Sequence, residues 1–465
     1  MKPDVSYYYP ALETMSRDEV LKLQWTKLKR ELEYLYHNNV FYKRKFKEAN
    51  LTPDDIKTMK DFKKFPLSTK DDFMKDQQEN PPFGNRCGVP EEKIAQLTIT
   101  ANTSGMGQEV HALTSWDLKN TAALAALPFY WGGLRQGDTG VVNVGLGNHL
   151  GGWCYFEGVR AVAGRTPYFV NDVGFEERLE LMQRFGVHGI WATPSALNSL
   201  TILCRQKGID PKKAFPNLKF ILTAAEPYPL PWVIRIQDIW GVKLLEQYGS
   251  TQAMGICMSC CENGAVVNGQ PGGMHLFEWN FVCEIVDPAS GENVGPGESG
   301  ELILTGLDRE GPPIIRFSTR DMVTYLPHTQ CDCGRALDMV QCGSIGRLDD
   351  MMKVKVTNVW PNQFDSVIFS YPEIDEYQGR LFINKKGRDD VEISLAFTEE
   401  YDRRLSPDEK EEMLKKIVRH IKSNTELTVR IKQVQSDELP HFITPESKAR
   451  RWTDERQADL SKQLT

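Results

Sequence analysis

Two charged motifs lie within the segment 316–361, and their residue types suit the binding of polar ligands. The first is STRD, residues 318–321, and the second is GRLDD, residues 346–350. A carboxylate accepts hydrogen bonds from two neighbouring hydroxyls, so Asp321 at the end of a strand can bind a vicinal diol. Because unpaired charge is costly to bury, Arg347 followed by two acids predicts an exposed connection. Each motif alone is equally typical of a solvated turn.

Cysteines between and before these motifs indicate a metal site. Cys331 and Cys333 form a Cys-x-Cys pair, and the adjacent Cys260 and Cys261 precede His275. We place both groups in loops, where thiolates and an imidazole form the soft tetrahedral set that zinc prefers. Free thiols are the alternative, which the loop placement disfavours.

Length and composition limit the class of protein. A chain of 465 residues favours two or more domains, and a net charge of −7 disfavours a nucleic-acid surface. The sequence has no apolar run long enough to span a membrane, and residues 1–19 lack the apolar core of a secretory signal. Ten cysteines without a small-domain framework indicate reduced thiols. We therefore expect a cytoplasmic protein.

Periodic patterns predict the elements that position these motifs. Ser16 and Glu19 form a capping-box pattern before an amphipathic helix that runs to about Asn38, and a mostly helical stretch covers 52–74. Short aliphatic runs then alternate with helical stretches and predict a parallel sheet, whose ligands bind at the carboxyl ends of the strands. These runs are 97–100, 140–144, 189–192, 220–223 and 243–246.

The later part of the chain has a different pattern. Residues 281–287 and 301–305 predict an antiparallel hairpin, and after Asp350 a small α+β unit follows. That unit has an alternating strand at 391–397 and a helix capped by Ser406. The predicted fold class is α/β: a large N-terminal domain with mostly parallel sheets plus an antiparallel β part, followed by a small mobile α+β C-terminal domain.

Several turns at strand ends carry polar residues. The loop with Thr103, Ser104 and Gly105 could bring backbone N–H groups close to phosphate oxygens, although a plain turn is the more frequent meaning of such a loop. The runs AAEP (224–227) and YGSTQ (248–252) close two later strands, and Lys448 lies near the C-terminus.

The order of these motifs resembles the adenylate-forming superfamily of acyl-CoA synthetases, and within it the phenylacetate-CoA ligase branch. The resemblance covers nearly the whole chain and also includes the GLGNH turn, residues 145–149. It implies a two-step reaction: a carboxylate attacks the α-phosphorus of ATP to give acyl-AMP and pyrophosphate, and a thiol, usually coenzyme A, then displaces AMP. Such chemistry depends on positioning and charge neutralisation. A homodimer is one possible assembly.

The resemblance also implies roles for individual residues. Asp321 would hold the ribose diol, Tyr248 would pack against adenine, and Lys448 would bridge the carboxylate and the α-phosphate; a surface lysine is the alternative for Lys448. Asp349 would be the hinge between a large domain, 1–348, and a lid domain, 349–465. The remaining residues implied at the ATP and Mg²⁺ site are Thr103, Ser104, Gly105, Ala225, Glu226, Pro227, Gly249, Ser250, Thr251, Gln252 and Arg347.

For the acid, the resemblance implies a pocket after the GLGNH turn. Its residues would be Gly147, His149, Trp153 and Phe156. Aromatic rings favour ring neighbours, so we expect an aryl or arylacetic acid. Trp153 and Phe156 as plain helix core is the alternative, and periodicity does not separate the two.

By the same resemblance, the ligands of a structural zinc are Cys261, His275, Cys331 and Cys333. Cys260, Cys257 and Cys342 are the competitors. We expect this zinc to stabilise the fold and to take no part in the chemistry.

Some residues depart from the family pattern. The phosphate loop lacks its usual Lys-Pro and carries Glu109 nearby, and Gln252 stands where a Glu would help to bind Mg²⁺. Val356 replaces a glycine after the hinge. Two hypotheses follow: a working ATP-dependent aryl acid–CoA ligase, or a relative that binds acyl, nucleotide or CoA ligands with lost or altered adenylation. An enzyme with an amine or carrier protein as acceptor lies between them.

Overall fold

The computed structural model describes residues 5–100, 108–163, 165, 168–169, 173–226, 228–348, 352–354, 357–384, 388–439 and 451–456. The chain divides into two compact units. Unit 1 comprises 1–193, 200–225 and 237–345, and unit 2 comprises 194–199, 226–236 and 346–465. The expected hinge residue Asp349 lies outside the described residues, so the boundary between 348 and 349 stays a prediction.

The N-terminal part of unit 1 is helical. The capping box is confirmed: Ser16 N donates to Glu19 Oε2 at 2.8 Å, and the long helix ends at Asn38 as predicted. The expected helical stretch 52–74 is instead broken into short pieces, because Thr58 and Thr69 each start a new helix as N-caps. The helices are α1 (Pro10–Glu13), α2 (Arg17–Asn38), α3 (Val40–Glu48), α4 (Met59–Phe62) and α5 (Lys70–Glu79).

A large mixed sheet forms the centre of unit 1, and its first half is parallel as predicted. The parallel strands are β3 (Gly140–Val142), β4 (Tyr168–Phe169), β5 (Gly189–Ala192), β6 (Phe220–Thr223) and β7 (Lys243–Ser250), in the order β4-β3-β5-β6-β7. The helices along this part of the chain are α6 (Ser115–Gly132), α7 (Leu150–Ala163), α8 (Phe175–Arg184), α9 (Pro194–Gln206), α10 (Pro211–Ala214) and α11 (Leu230–Trp240).

The sheet continues in antiparallel fashion beyond β7, in the order β7-β8-β11-β15-β14-β13-β12. These strands are β8 (Gly255–Cys260), β11 (Gly273–Leu276), β12 (Phe281–Val286), β13 (Ser299–Gly306), β14 (Phe317–Leu326) and β15 (Met339–Gln341). The pairing of β12 with β13 confirms the predicted hairpin. The run 97–100 was expected among the parallel strands, but β1 (Ile94–Ile99) pairs antiparallel with β2 (Val110–Thr114) in a separate hairpin. A small hairpin joins β9 (Val266–Val267) and β10 (Gln270–Pro271).

Unit 2 contains the predicted small α+β fold. Its central antiparallel pair has Val391 and Ile393 buried, and Ile417 and Ile421 of the Ser406-capped helix belong to the same core. The four-stranded sheet has the order β21-β20-β19-β22. The elements are β16 (Gly346–Arg347), β17 (Met352–Val354), β18 (Thr357–Val359), α12 (Pro361–Ile368), β19 (Ile374–Ile383), β20 (Asp389–Phe397), α13 (Glu399–Arg404), α14 (Pro407–Thr425), β21 (Arg430–Gln433) and β22 (Trp452–Asp454).

Within the described ranges, no helix combines the length and apolar character needed to cross a bilayer. The cytoplasmic location stays a prediction.

Candidate nucleotide site and metal centre

A bulge in β14 positions Asp321. Glu301 pairs with Met322 and Ile303 pairs with Ser318, so residues 319–321 lie opposite a single residue of β13. Thr319 Oγ1 donates to Leu302 O at 2.7 Å, and Arg320 has a left-handed backbone with φ of 62°. Bulges of this kind change the direction of a side chain beside a site. The bulge therefore gives the Asp321 side chain a direction that it would not have in a regular strand.

Tyr248 contacts Asp321 directly. Its hydroxyl donates to Asp321 Oδ2 at 2.6 Å, within unit 1. Burial raises the pKa of Tyr248 well above its usual value, and the Asp321 carboxylate raises it further. The phenol therefore remains a proton donor that orients the carboxylate. A carboxylate has about four lone-pair sites in total, so in chemical terms it can accept hydrogen bonds from a phenol and from a diol at the same time.

The turn after Tyr248 is tightly packed. A Cβ on Gly249 would lie 2.1 Å from Gly255 O, so the close approach of two backbone segments requires glycine there. Ser250 Oγ accepts from Ala253 N at 3.0 Å, and Met254 N donates to Thr251 O at 3.0 Å. These bonds fix the turn that carries the predicted residues Ser250, Thr251 and Gln252.

A buried ionic cluster holds Gln252. Glu109 accepts from Arg86 Nη2 at 2.8 Å and from Gln252 Nε2 at 2.6 Å, while His111 Nε2 lies 3.1 Å from its Oε1. Burial alone would raise the pKa of Glu109, but the nearby His111 and Arg86 outweigh it and lower the pKa to about 2. Arg309 Nη1 also donates to Gln252 O at 2.8 Å. Glu109 is thus an ionised, fully paired carboxylate.

The chemistry of this cluster sets the orientation of the Gln252 amide. An ionised carboxylate only accepts hydrogen bonds, so the NH₂ group must face Glu109 and the carbonyl oxygen must face away. Gln252 can therefore offer an oxygen atom, which is what a hard cation such as Mg²⁺ requires.

Glu226 has a structural partner within unit 2. Its carboxylate accepts from Ser195 N at 2.9 Å and from Ser195 Oγ at 2.7 Å, at the start of α9. Acidic groups favour helix N-termini, so this contact stabilises the helix. Ala225 has φ of 76°, a left-handed conformation that costs an L-residue about 1–2 kcal/mol. Pro227 lies outside the described residues.

The GLGNH turn is attached to the end of β1. His149 is exposed, with Nδ1 3.0 Å from Ile99 O, and Ile99 N donates to Asn148 O at 2.9 Å. Trp153 and Phe156 are half-buried residues of α7, and Trp153 Nε1 donates to Gly147 O at 3.1 Å. Trp153 thus fixes the turn, and its role toward an acid stays a prediction.

Arg347 is the remaining predicted nucleotide residue within the described ranges. Arg347 is exposed in β16 of unit 2. The predicted residues that lie outside the described ranges are Thr103, Ser104, Gly105, Asp349 and Lys448, so their roles stay predictions. Val356, the departure from the family pattern, also lies outside those ranges.

The four predicted metal ligands lie together. One potential ligand atom from each of Cys261, His275, Cys331 and Cys333 lies within 4.8 Å of all the others. Cys261 Sγ lies 3.7 Å from Cys331 Sγ, and Cys333 Sγ lies 3.3 Å from His275 Nε2. A zinc tetrahedron with Zn–S of about 2.3 Å and Zn–N of about 2.0 Å places its ligands roughly 3.5–3.8 Å apart. The cluster is close to this geometry.

The environment of His275 suits a metal ligand. His275 is buried in β11 rather than in a loop, and its Nδ1 lies 3.0 Å from Leu337 O. Donation from Nδ1 to that carbonyl leaves the Nε2 lone pair directed at the thiols. Hydrogen bonds from Cys261 and Cys331 to its sulfur lower the pKa of Cys333, which favours the thiolate that binds zinc.

The competing cysteines have other contacts. Cys260 Sγ lies 3.3 Å from Cys342 Sγ and accepts from Glu246 N, and Cys257 Sγ lies 3.7 Å from Tyr248 O. None of the three belongs to the four-residue cluster of the described chain.

Sequence reasoning missed the partners of Glu109. Arg86 and His111 belong to no recognised motif, and Arg309, which donates to the Gln252 carbonyl beside this carboxylate, lies in a loop far along the chain. The alternation of charged residues in QEVH, residues 108–111, was the one local signal, because a charge at the start of a buried strand needs a partner.

Comparison with known proteins assigns the chain to a family. The sequence-family model of the AMP-binding enzymes matches residues 120–307. The family model of the AMP-binding enzyme C-terminal domain matches residues 356–456. The chain therefore belongs to the AMP-binding enzymes, the adenylate-forming superfamily.

Relatives define the branch. A phenylacetate-coenzyme A ligase of Thermus thermophilus is 31% identical over 447 residues, which cover 93% of this chain and 96% of the relative. A phenylacetate-coenzyme A ligase of Escherichia coli K12 is 31% identical over 83% of this chain and 85% of its own. The chain belongs to the phenylacetate-coenzyme A ligase branch, which confirms the predicted family and the class of AMP-forming acid–thiol ligase.

Solved structures confirm the fold class. A 2-hydroxyisobutyryl-CoA ligase in complex with 2-HIB-AMP has a TM-score of 0.87 at 22% identity, covering 100% of this chain and 96% of that one. Family membership supports the predicted use of ATP and coenzyme A.

Proposed function

We propose that this protein joins an aromatic carboxylic acid to coenzyme A at the expense of ATP, through an acyl-adenylate. The observation that carries the proposal is the Tyr248–Asp321 pair, a carboxylate oriented at the end of a bulged strand in a chain of the phenylacetate-coenzyme A ligase branch. Such a carboxylate suits a ribose diol. The aryl acid and coenzyme A in this proposal are taken from the names of the related phenylacetate-coenzyme A ligases.

The residues divide into those that hold the nucleotide and those that neutralise charge. Asp321 would accept both ribose hydroxyls while Tyr248 keeps its carboxylate oriented. Gln252 would offer its carbonyl oxygen to Mg²⁺, which neutralises phosphate charge when it is bound. A structural zinc that takes no part in the chemical step would be held by Cys261, His275, Cys331 and Cys333.

Replacing Asp321 by asparagine is expected to raise the Kd for ATP about tenfold, roughly 1.4 kcal/mol, because a neutral amide accepts more weakly than a carboxylate. The measurement is calorimetric binding of ATP and of 2′,3′-dideoxy-ATP. Wild type should prefer ATP, and Asp321→Asn should lose most of that preference. Tyr248→Phe, which keeps the carboxylate, is the control with a smaller effect. An unchanged preference in Asp321→Asn would show that Asp321 does not hold the diol.

Replacing Lys448 by alanine is expected to slow acyl-AMP formation at least about a hundredfold, roughly 2.7 kcal/mol, because the cation between carboxylate and α-phosphate is lost. Thioester synthesis from supplied acyl-AMP should remain largely intact. Lys462→Ala, another lysine near the C-terminus, is the control. Equal loss in both half-reactions would assign Lys448 another role.

The proposal as a whole is tested by incubation with ATP, Mg²⁺ and aromatic acids, followed by measurement of pyrophosphate. Release that depends on the acid supports it. The neutral Gln252 and the phosphate loop without Lys-Pro favour a second candidate, a ligand-binding relative with lost or altered adenylation. Absence of pyrophosphate with every acid would favour that second candidate.

A further inference from the structure

Three polar aromatic or amide side chains meet on one face of the sheet in unit 1. Trp191 in β5 pairs with Leu222 in β6, which pairs with Leu245 in β7. Aligned residues of parallel strands point to the same face, and so does a residue two positions further on. Gln247 therefore projects from the same face as Trp191. Tyr155 of α7 covers this face, with ring centroids 4.2 Å from Trp191.

This group, which we call the polar cluster (Tyr155, Trp191 and Gln247), is almost completely buried. Trp191 and Gln247 are 2% exposed and Tyr155 is 8% exposed. Burial raises the pKa of Tyr155, and this effect outweighs the opposing influence of Trp191 and Gln247 beside its hydroxyl. The phenol thus stays protonated.

The cluster leaves hydrogen-bonding capacity unused. Trp191 Nε1 and both amide atoms of Gln247 are buried without a well-formed hydrogen bond, although both side chains lie beside the Tyr155 hydroxyl. An unsatisfied buried polar group lowers the free energy of unfolding by about 1–3 kcal/mol, so these atoms would destabilise a core that had only a structural role. Retained polar atoms of this kind indicate a partner that is bound in the working protein.

The position of the cluster indicates which partner it is. Trp191 is the next-to-last residue of β5, Gln247 lies one residue beyond the pairing of β7 with β6, and Tyr155 lies in the helix that follows the GLGNH turn. Ligands of open α/β sheets bind at the carboxyl ends of the strands. The cluster therefore lies at the end of the sheet where a ligand is expected, beside the helix that carries the predicted acyl-pocket residues.

We infer that the polar cluster binds a neutral hydrogen-bonding substituent on the ring of the acid, and that the preferred substrates are hydroxylated aromatic acids. This inference rests on the proposed function. The three side chains supply N–H and O–H donors and amide and phenol acceptors, and a phenolic hydroxyl both accepts and donates. None of the three carries a charge, so a second carboxylate on the ring would be buried without a counter-charge.

Matched pairs of acids test the inference. Wild-type protein with ATP and Mg²⁺ is given phenylacetate, its 2-, 3- and 4-hydroxy derivatives, the corresponding amino derivatives and a carboxy derivative, and pyrophosphate release yields kcat/KM for each. At least one hydroxylated acid should exceed phenylacetate by tenfold or more, because a site built around a hydroxyl rejects the analogue that lacks it. Gln247→Leu, which is similar in size and apolar, should reduce that ratio at least tenfold.

A second readout separates substrate binding from structure. Gln247→Leu removes two unsatisfied atoms, so its melting temperature should be equal to or higher than that of wild type while its preference is lost. Trp191→Phe should reduce the ratio as well. If phenylacetate is the best acid, or if Gln247→Leu leaves the ratio unchanged, the inference is overturned and the proposed function stands. If no acid releases pyrophosphate, the proposed function fails first.

Discussion

Replacing Cys333 by serine is expected to abolish stoichiometric zinc and to lower the melting temperature by about 10 °C or more. The four ligand atoms lie within 4.8 Å of one another, and the sulfur–sulfur distance of 3.7 Å matches a zinc tetrahedron. Structural zinc sites in small domains contribute about 10–16 kcal/mol, so loss of one ligand costs several kcal/mol, and each kcal/mol corresponds to about 2–4 °C in a domain of 150–250 residues.

Elemental analysis and calorimetry of the purified protein measure both effects. Cys342→Ser is the matched control, because this buried thiol contacts Cys260 outside the cluster and should leave the zinc content at one per chain. Loss of zinc from Cys342→Ser, or its retention by Cys333→Ser, would contradict the assigned ligand set. Wild-type protein purified without chelator and free of metal would remove the site altogether.

Exchanging Glu109 and Gln252 is expected to restore part of the folding stability that each single substitution removes. Glu109→Gln leaves the buried Arg86 guanidinium without its anion, and breaking a buried ion pair costs about 3–5 kcal/mol. Gln252→Glu places a second carboxylate where the amide now donates at 2.6 Å, so it should be similarly harmful. The double variant restores one carboxylate and one amide, and should recover about 1–3 kcal/mol as coupling energy.

Denaturant unfolding of the four proteins measures this coupling, and titration of MgATP binding measures the effect on the site. In the single Glu109→Gln variant the amide of Gln252 loses its fixed orientation, so MgATP affinity should fall and should return in part in the double variant. Strictly additive unfolding free energies would show that the two residues are not coupled.

The Glu109 carboxylate also makes the stability of the fold depend on pH. Its folded pKa of about 2 lies below the ordinary value of about 4.3, so its contribution is complete above that ordinary value. It is lost as the pH falls toward about 2. Glu109→Gln should therefore flatten the acid limb of the stability profile.

Local patterns predicted the elements of the fold, and long-range pairing decided the rest. The Ser16 capping box and the alternation of Val391, Ile393 and Leu395 are local, and both predictions were confirmed. The end of β1 did not join the parallel strands because β2 pairs with it instead, a choice that depends on residues beyond the run itself.

The residues of the candidate site also divide into those that the sequence predicts and those that depend on long-range contacts. The family resemblance singled out the four residues that lie together, Cys261, His275, Cys331 and Cys333, whereas thiol and imidazole chemistry alone left other cysteines as competitors. Glu109 could not be understood from its neighbours, because its partners Arg86 and Gln252 are distant in sequence. Gln247 likewise looks like any strand residue until the pairing of β5, β6 and β7 places it beside Trp191.

The most direct test of the central claim is the balance of products from one incubation with ATP, Mg²⁺, coenzyme A and a panel of aromatic acids. We predict that pyrophosphate, AMP and an acyl-coenzyme A thioester appear in equal amounts, and only when an acid is present. Formation of no pyrophosphate with any acid would contradict adenylation. Pyrophosphate and acyl-AMP without a thioester would contradict coenzyme A as the acceptor.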